Sequence, residues 1–246
     1  MSEADRPSRS RFLVKLSGEA LGGSGGSGVN SAAFEYIGGE IVRAHQIAGA
    51  MAVVVGGGNF FRGDASVSWP LDRVVGDHTG MLATVMNALL LGDWLLNVGC
   101  NVRVASAIPV EGIVPCYTPR QARSDLEQGS LVILAGGTGN PYFTTDTTAC
   151  LRGLELDASM VIKATRVDGV FDRDPEVDPA AIRYDRITFD FAIRQGLRVM
   201  DSTAFAICKD HQLPIRVLDL GIEGNLARAV NGESVGTLVS AQGDEE

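Results

Sequence analysis

Cysteine is scarce and scattered: Cys100, Cys116, Cys150 and Cys208 stand far apart with no CxxC pair, which excludes a zinc-ribbon site and a disulfide framework. They read as reduced core or loop residues. Histidine is rarer still. His45, His78 and His211 are isolated, and without HExxH or a GxSxG elbow, metal-hydrolase and nucleophilic schemes lack their parts. Each histidine reads as a surface or capping residue. An excess of positive charge is also missing: the formal net charge is -9, so wholesale attraction to nucleic acid or to an anionic membrane is excluded. Any anionic ligand must be met by locally placed donors, helped by a divalent metal. No clean apolar run spans a bilayer: residues 81–98 are interrupted by Asn87, Gly92, Asp93 and Asn97, short of the roughly 20 residues a span needs, and read as a buried helix. No apolar stretch follows Arg6, Arg9 and Arg11 that could serve as a signal peptide, so the expected compartment is the cytoplasm.

What the chain does have is glycine in particular places. Residues 12–18 (FLVKLSG), 52–59 (AVVVGGGN) and 131–140 (LVILAGGTGN) are apolar runs that spill into glycines. Their aliphatic residues are continuous rather than alternating, the pattern of strands buried in a parallel sheet. Each run ends where bare backbone leaves N–H groups able to approach a phosphate at the mouth of the next helix. One such loop could serve steric needs alone. Three at carboxyl ends of strands point to one large anionic ligand or two facing ones.

Along the rest of the chain, Asn30 or Ser31 caps a helix whose apolar positions Phe34, Ile37, Ile41, Ala44 and Ala48 recur every three to four residues, with Gly49 closing it. Residues 22–28 (GGSGGSG) have the composition of a flexible linker. The helix around residues 81–96 is apolar on nearly all sides; a subunit interface and a central core position both fit that pattern. Strands at 102–108, 131–135, 160–164, 215–220 and 236–240 alternate with helices at 144–156, 189–195 and one opened by Asp201, broken by a turn-rich stretch over 168–179. This order predicts a parallel-rich sheet covered by helices on both faces, with no internal repeat. A composition that is 45% hydrophobic without a break favours one large domain over two fused lobes, behind a polar, disordered tail at residues 1–10.

Tested letter by letter, GxxxxGK[ST] is absent. The dinucleotide fingerprint fails because Phe61 and Tyr142 stand where the third glycine should be. What remains are charges attached to the glycine loops: Lys15, Arg62, Asp77, Asp146, Asp174 and Asp201. Phosphoryl transfer asks the protein mainly for alignment and charge cancellation, which lysine, arginine, backbone N–H groups and Mg2+ supply. An acceptor that is itself a phosphate, with a second pKa of about 6, needs no general base. Plainer readings stand beside these. Lys15 could extend to solvent, and Arg62 could be an ordinary solvated arginine. Asp77, Asp146 and Asp201 each stand where a helix is expected to begin and could be caps; Asp174 before Pro175 could open a turn. Lys163, which could face phosphate or nothing, is left outside the candidate site.

KLSGEAL (15–21), VVVGGGNFFRG (53–63), VGDHTGMLATVMN (75–87), GTGNPYFTTDTTACLRG (137–153), KATRVDGVFDRDP (163–175) and RVMD (198–201) together resemble bacterial uridylate kinases of the amino acid kinase superfamily. The resemblance runs from about residue 11 to 240. It implies a three-layer α/β sandwich with a mainly parallel central sheet, the amino acid kinase fold, as one domain over 11–240 with a UMP side (11–150), an ATP side (151–240) and tails at 1–10 and 241–246. It further implies transfer of the terminal phosphate of ATP to UMP with Mg2+, in a cytoplasmic homohexamer. On this resemblance Lys15, Leu16, Ser17 and Gly18 lie along the ATP phosphates, Gly58 faces ATP, Arg62 neutralises the moving phosphate, and Thr165, Phe171 and Asp174 hold the ATP nucleoside. Gly57 faces UMP, Asp77 binds its ribose, and Thr138, Gly139, Asn140, Pro141, Tyr142, Phe143, Thr144 and Thr145 wrap its uracil and phosphate. Asp146 and Asp201 orient Lys15 and the metal-bound phosphates, with the direct metal ligand unassigned. The family is activated by GTP through a loop that here is thinned to GGSGGSG, so a weak GTP response with retained UTP inhibition is expected. A relative acting on a carboxylate or carbamate, or a non-catalytic nucleotide sensor, are the alternatives.

Overall fold

The structure, a computed structural model, describes residues 10–63, 68–175, 177–197 and 199–243. The expected N-terminal tail lies outside the described residues except for Ser10, as do Arg198 of the RVMD motif and residues 244–246 of the C-terminal tail. In chain order the elements are β1 (Phe12–Leu16), α1 (Gly18–Leu21), α2 (Ser31–Ala48), β2 (Met51–Val55), α3 (Arg73–Asn97), β3 (Val102–Ser106), α4 (Pro119–Glu127), β4 (Leu131–Ala135), α5 (Thr145–Glu155) and β5 (Met160–Thr165). They continue with β6 (Val170–Phe171), β7 (Arg183–Tyr184), β8 (Arg186–Thr188), α6 (Phe189–Arg194), α7 (Ser202–Asp210), β9 (Ile215–Asp219), α8 (Asn225–Val230) and β10 (Thr237–Ser240).

Continuous aliphatic runs became strands covered on both sides: every residue of β2 and of β4 is buried. The main sheet has the order β3-β4-β2-β1-β5-β9-β10-β8. It is parallel from β3 to β9; β10 runs antiparallel to β9 and parallel to β8. Alternate residues feed two cores. Val14, Leu16, Val53, Ile133 and Ile162 pack with α2, α3 and α8, while Leu13, Val54, Leu134, Val161 and Ile215 pack with α4, α5, α6 and α7. The result is the expected mainly parallel sheet between two helical layers.

Several local expectations hold for the physical reasons given. Asn30 caps α2 by accepting from the Ala33 N–H at 3.0 Å, and Gly49 closes it with φ 71°. The four cysteines are free, and Cys150 and Cys208 are buried. Other expectations are corrected. The long helix starts earlier, at Arg73, because Asp72 rather than Asp77 accepts from the first-turn N–H groups of Val74 and Val75. Nor is that helix buried all round. Val85, Ala88, Leu91 and Leu95 face the core, whereas Val75, Leu82, Met86 and Leu90 lie exposed. By length and composition alone α3 could cross a membrane, yet half of its most apolar stretch is buried inside the molecule.

Strict alternation also breaks where β6 and β7 form a small antiparallel pair, and α4 and α8 were not foreseen. The GGSGGSG stretch is not a free linker. Gly28 and Asn59 exchange hydrogen bonds of 2.8 Å, the Arg62 guanidinium donates to the Gly26 carbonyl at 3.0 Å, and residues 23–25 form a short 3-10 turn. Three glycines with positive φ (Gly23, Gly26 and Gly28) let the backbone fold back tightly enough for these bonds.

Candidate active site

Parallel β4, β2, β1 and β5 are neighbours, so their carboxyl ends open on one edge of the sheet. There the loops after β1 and β2 meet backbone to backbone. The Gly56 N–H donates to the Leu16 carbonyl at 2.9 Å, and a Cβ added to Gly18 would stand 2.5 Å from the Gly58 nitrogen. Side chains are excluded by contact, which leaves bare amides beside the site. Gly57 is equally constrained, since its Cβ would lie 2.7 Å from the Ala83 Cβ on α3.

Two buried amides lock this corner to α3. Asn87, on the core side of α3, donates to the Gly56 carbonyl at 2.7 Å and exchanges hydrogen bonds of 2.7 and 3.0 Å with Asn59. Asn59 in turn reaches the Gly28 carbonyl. Each amide is satisfied from both of its ends, as burial requires.

The central charge cluster stands on the opposite face. Lys15 of β1 and Lys163 of β5 are register partners, so both project to the side of α5. There Asp146, in the first turn of α5, takes Lys163 on Oδ2 at 2.8 Å and stands with Oδ1 3.0 Å from the Lys15 Nζ. Lys163 also donates to the Val199 carbonyl at 2.7 Å. Burial works to raise the Asp146 carboxyl, but Lys15 and Lys163 outweigh it and hold its pKa below the ordinary value. Oδ1 has no aligned hydrogen bond, so it keeps acceptor capacity. Asp201 is the N-cap of α7 as expected. It accepts from the Ala204 N–H at 2.8 Å, from Thr147 Oγ1 at 2.9 Å, and from the Thr144 hydroxyl. Asp201 thereby ties the start of α5 to the start of α7. Asp146 itself is not a cap; that role falls to Thr144, which accepts from the Asp146 N–H at 3.0 Å.

A cleft beside this cluster is lined by Gly57, Gly58, Arg62, Asp77, Gly137, Phe143, Thr144 and Thr145 among others. The Arg62 Nε donates to the Gly58 carbonyl at 3.0 Å, and Glu19 lies 3.5 Å from Arg62 and 3.8 Å from Arg166. Asp77 accepts from both Arg73 Nε at 2.9 Å and the Tyr142 N–H at 2.7 Å, so it anchors the turn formed by Thr138, Gly139, Asn140, Pro141 and Tyr142. Tyr142 has φ 71°, a left-handed conformation that the Asp77 bond and the Arg73 guanidinium 5.5 Å from its ring accompany. Tyr142 and Phe143 are themselves exposed.

Two sets of predicted residues separate, apart from the loop residues already described. Lys15, Gly57, Gly58, Arg62, Asp77, Thr144, Thr145, Asp146 and Asp201 converge on the cleft and the cluster. Thr165 ends β5 and closes a turn on Val167, Phe171 lies in β6, and Asp174 stands on the exposed turn that follows. Lys163, Thr147, Asn59, Asn87 and Glu19 were missed. Lys163 carried a usable signal: it stands in the second half of an apolar strand, as Lys15 does.

Among the described residues no group of three or more His, Cys, Asp or Glu could hold a metal ion. The two carboxylates of the cluster are already engaged, Asp146 by Lys15 and Lys163 and Asp201 by Thr147 and the Ala204 N–H, so a Mg2+ here would be held mainly by oxygens of its own nucleotide and by water.

A family model described as the amino acid kinase family matches residues 10–219. Among solved structures, UMP kinase from Bacillus anthracis is similar at TM-score 0.92 and 36% identity, over 96% of this chain and 98% of that one. UMP kinase from Ureaplasma parvum follows at 0.86 and 31% identity, over 95% and 100%. Uridylate kinase from Archaeoglobus fulgidus matches at 0.72 and 27% identity, over 94% and 100%. With a family match across most of its length and a fold shared almost end to end with enzymes at this identity, the chain belongs to the amino acid kinase family.

Proposed function

We propose that this chain transfers the terminal phosphoryl group of ATP to UMP, giving ADP and UDP for pyrimidine nucleotide synthesis. The observation that carries the reading is the pair of lysines sharing one carboxylate beside a cleft floored by glycine amides. Two ammonium groups and one carboxylate leave positive charge where a phosphoryl group in flight spreads its negative charge. Its likeness to UMP kinases supports UMP as acceptor.

In this scheme Lys15 faces the moving group, held in place by Asp146, while Lys163 fixes the other oxygen of Asp146. Leu16, Ser17, Gly18 and Gly58 offer backbone to the ATP phosphates, and Thr165, Phe171 and Asp174 hold its nucleoside on the 151–240 side. Gly57 and residues 138–145 enclose UMP on the 11–150 side, with Asp77 on its ribose. Arg62 exchanges carbonyl partners for phosphate oxygens. Asp146 and Asp201 would orient the metal-bound phosphates, where a Mg2+ bound with ATP would supply further charge cancellation. No general base is needed, because the attacking oxygen already belongs to an ionised phosphate.

The scheme extends to a cytoplasmic homohexamer in which the exposed apolar side of α3 meets another copy, with UTP as inhibitor and GTP as a weak activator. Measuring ADP release with UMP, CMP, dUMP, aspartate, glutamate and carbamate as separate acceptors tests the reading. UMP is expected to support the fastest turnover. A preference for an acid or carbamate replaces the acceptor assignment, and no turnover with any of them in Mg2+ leaves a nucleotide sensor.

A further inference from the structure

Far along the sheet from the glycine loops, a second pair of like charges stands in register. Arg216 of β9 pairs with Leu238 of β10, and Leu238 pairs with Arg186 of β8, so the two arginines flank one leucine in a row across three strands. Register partners project to one face. Together with Asp185 and Ser234 these residues line a cleft of about 280 Å³. Arg216 is 8% exposed, and one of its nitrogens donates to the Val235 carbonyl at 2.8 Å. Its Nε is buried with no partner.

A guanidinium this buried is ordinarily matched by a carboxylate, because an uncompensated charge out of water costs several kcal/mol. Among the described residues neither Arg216 nor Arg186 forms a salt bridge. Asp185, the acid nearest in the cleft lining, is bonded to Arg183 at 3.0 Å, which also holds Asp168. Glu233, next in sequence to Ser234, is bonded to Arg228 at 2.7 Å. The local acids are thus committed elsewhere, in a chain with acid to spare.

We infer that the cleft between Arg186 and Arg216 is a second oxyanion site, taking a phosphate group, free or carried on a nucleotide, separately from the glycine loops. Arginine supplies donors in a fork that matches such an oxyanion, and the Ser234 hydroxyl adds a donor at the rim. Burial, and then the neighbouring Arg186, pulls the Arg216 pKa down from its ordinary value, which is the direction an anion would reverse.

The test uses the full chain and its Arg186→Ala and Arg216→Met variants, with thermal unfolding followed in chloride and in inorganic phosphate at equal ionic strength, and in UDP. Phosphate bound at the glycine loops shifts all three proteins alike, so the difference between them reports the second site. At about ten times its Kd, a ligand raises Tm by roughly 3–6 °C in a domain of this size. Wild type is expected to gain that increment over both variants. Loss confined to the phosphate arm identifies the free ion, and loss confined to the UDP arm a nucleotide-borne group. Arg186→Ala is expected to keep basal turnover, and Arg216→Met to be at least as stable as wild type in chloride. Equal shifts in all three proteins overturn the site. So does an Arg216→Met protein destabilised by the same amount with and without phosphate, since the arginine would then serve only to hold Val235.

Discussion

Two places in this sheet put like charges on one face, adjacent in one case and one strand apart in the other, and they resolve the conflict differently. On β1 and β5, Lys15 and Lys163 share Asp146. On β9 and β8, Arg216 and Arg186 flank Leu238 with no acid between them. The backbone logic is the same in both, since register partners project together. The difference is one carboxylate, supplied to the lysines by the first turn of α5 and withheld from the arginines. Where the acid is present, the lysines are fixed and the ordering cost is met in the folded chain, which is what a reacting group needs. Where it is absent, charge waits for a ligand.

Removing the shared acid is the strongest way to break that contrast. Asp146→Asn leaves two ammonium groups facing each other in a mostly buried site. It is expected to destabilise the fold by about 3 kcal/mol, the cost of breaking a buried pair, and to lower turnover by about 10³-fold as Lys15 loses its position. Denaturant unfolding and steady-state kinetics read the two effects separately. Asp201→Asn comes next. It keeps a cap on α7, so the fold is expected to stay intact while turnover drops on the order of 10²-fold; an unchanged rate would remove Asp201 from the site.

Lys163→Met sharpens the comparison by asking whether the second lysine only positions the first. A drop of roughly tenfold in kcat with little change in KM is expected, well short of the loss on Lys15→Met. Equal losses in the two variants would mean that Lys163 touches the reacting group itself. The smallest effect is in pH. The folded Asp146 carboxyl lies below its unfolded value, so its stabilisation is present above that value, about 3.9, and is lost as pH falls through the folded one. The stability gap between wild type and Asp146→Asn is therefore expected to be flat from about pH 5 to 8 and to shrink below about pH 4. A gap that grows on acidification would reverse the assignment.

The fold was legible where burial leaves continuous runs. β1, β2, β4 and β5 sit within a residue or two of their predicted ends, because two-sided burial admits only aliphatic side chains. Capping chemistry placed α2 for the same local reason. The short elements were not legible: β6 and β7 are two residues each and exist only because a partner lies across the turn. At the site, Lys15 could be read from a cation ending an apolar run before glycines. Its dependence on Lys163 could not, because the register that makes them neighbours joins residues far apart in sequence. For Asp77 the sequence left a cap and a ligand contact both open; the cap is Asp72, earlier in the chain, and Asp77 instead accepts from the Tyr142 N–H. The GGSGGSG stretch shows the limit of composition, for its order comes from Asn59 and Arg62, residues on a different loop.

The position of β10 has a consequence for how the molecule assembles. β8 joins the main sheet only through β10, which itself leans on β9. On the ribosome, residues 186–188 emerge well before the strand that will receive them, so this margin must wait unpaired until 237–240 arrive. Such long-range pairing slows folding and leaves an open edge in the interim. Late closure leaves this margin open to mispairing with neighbouring copies until the chain is complete through β10.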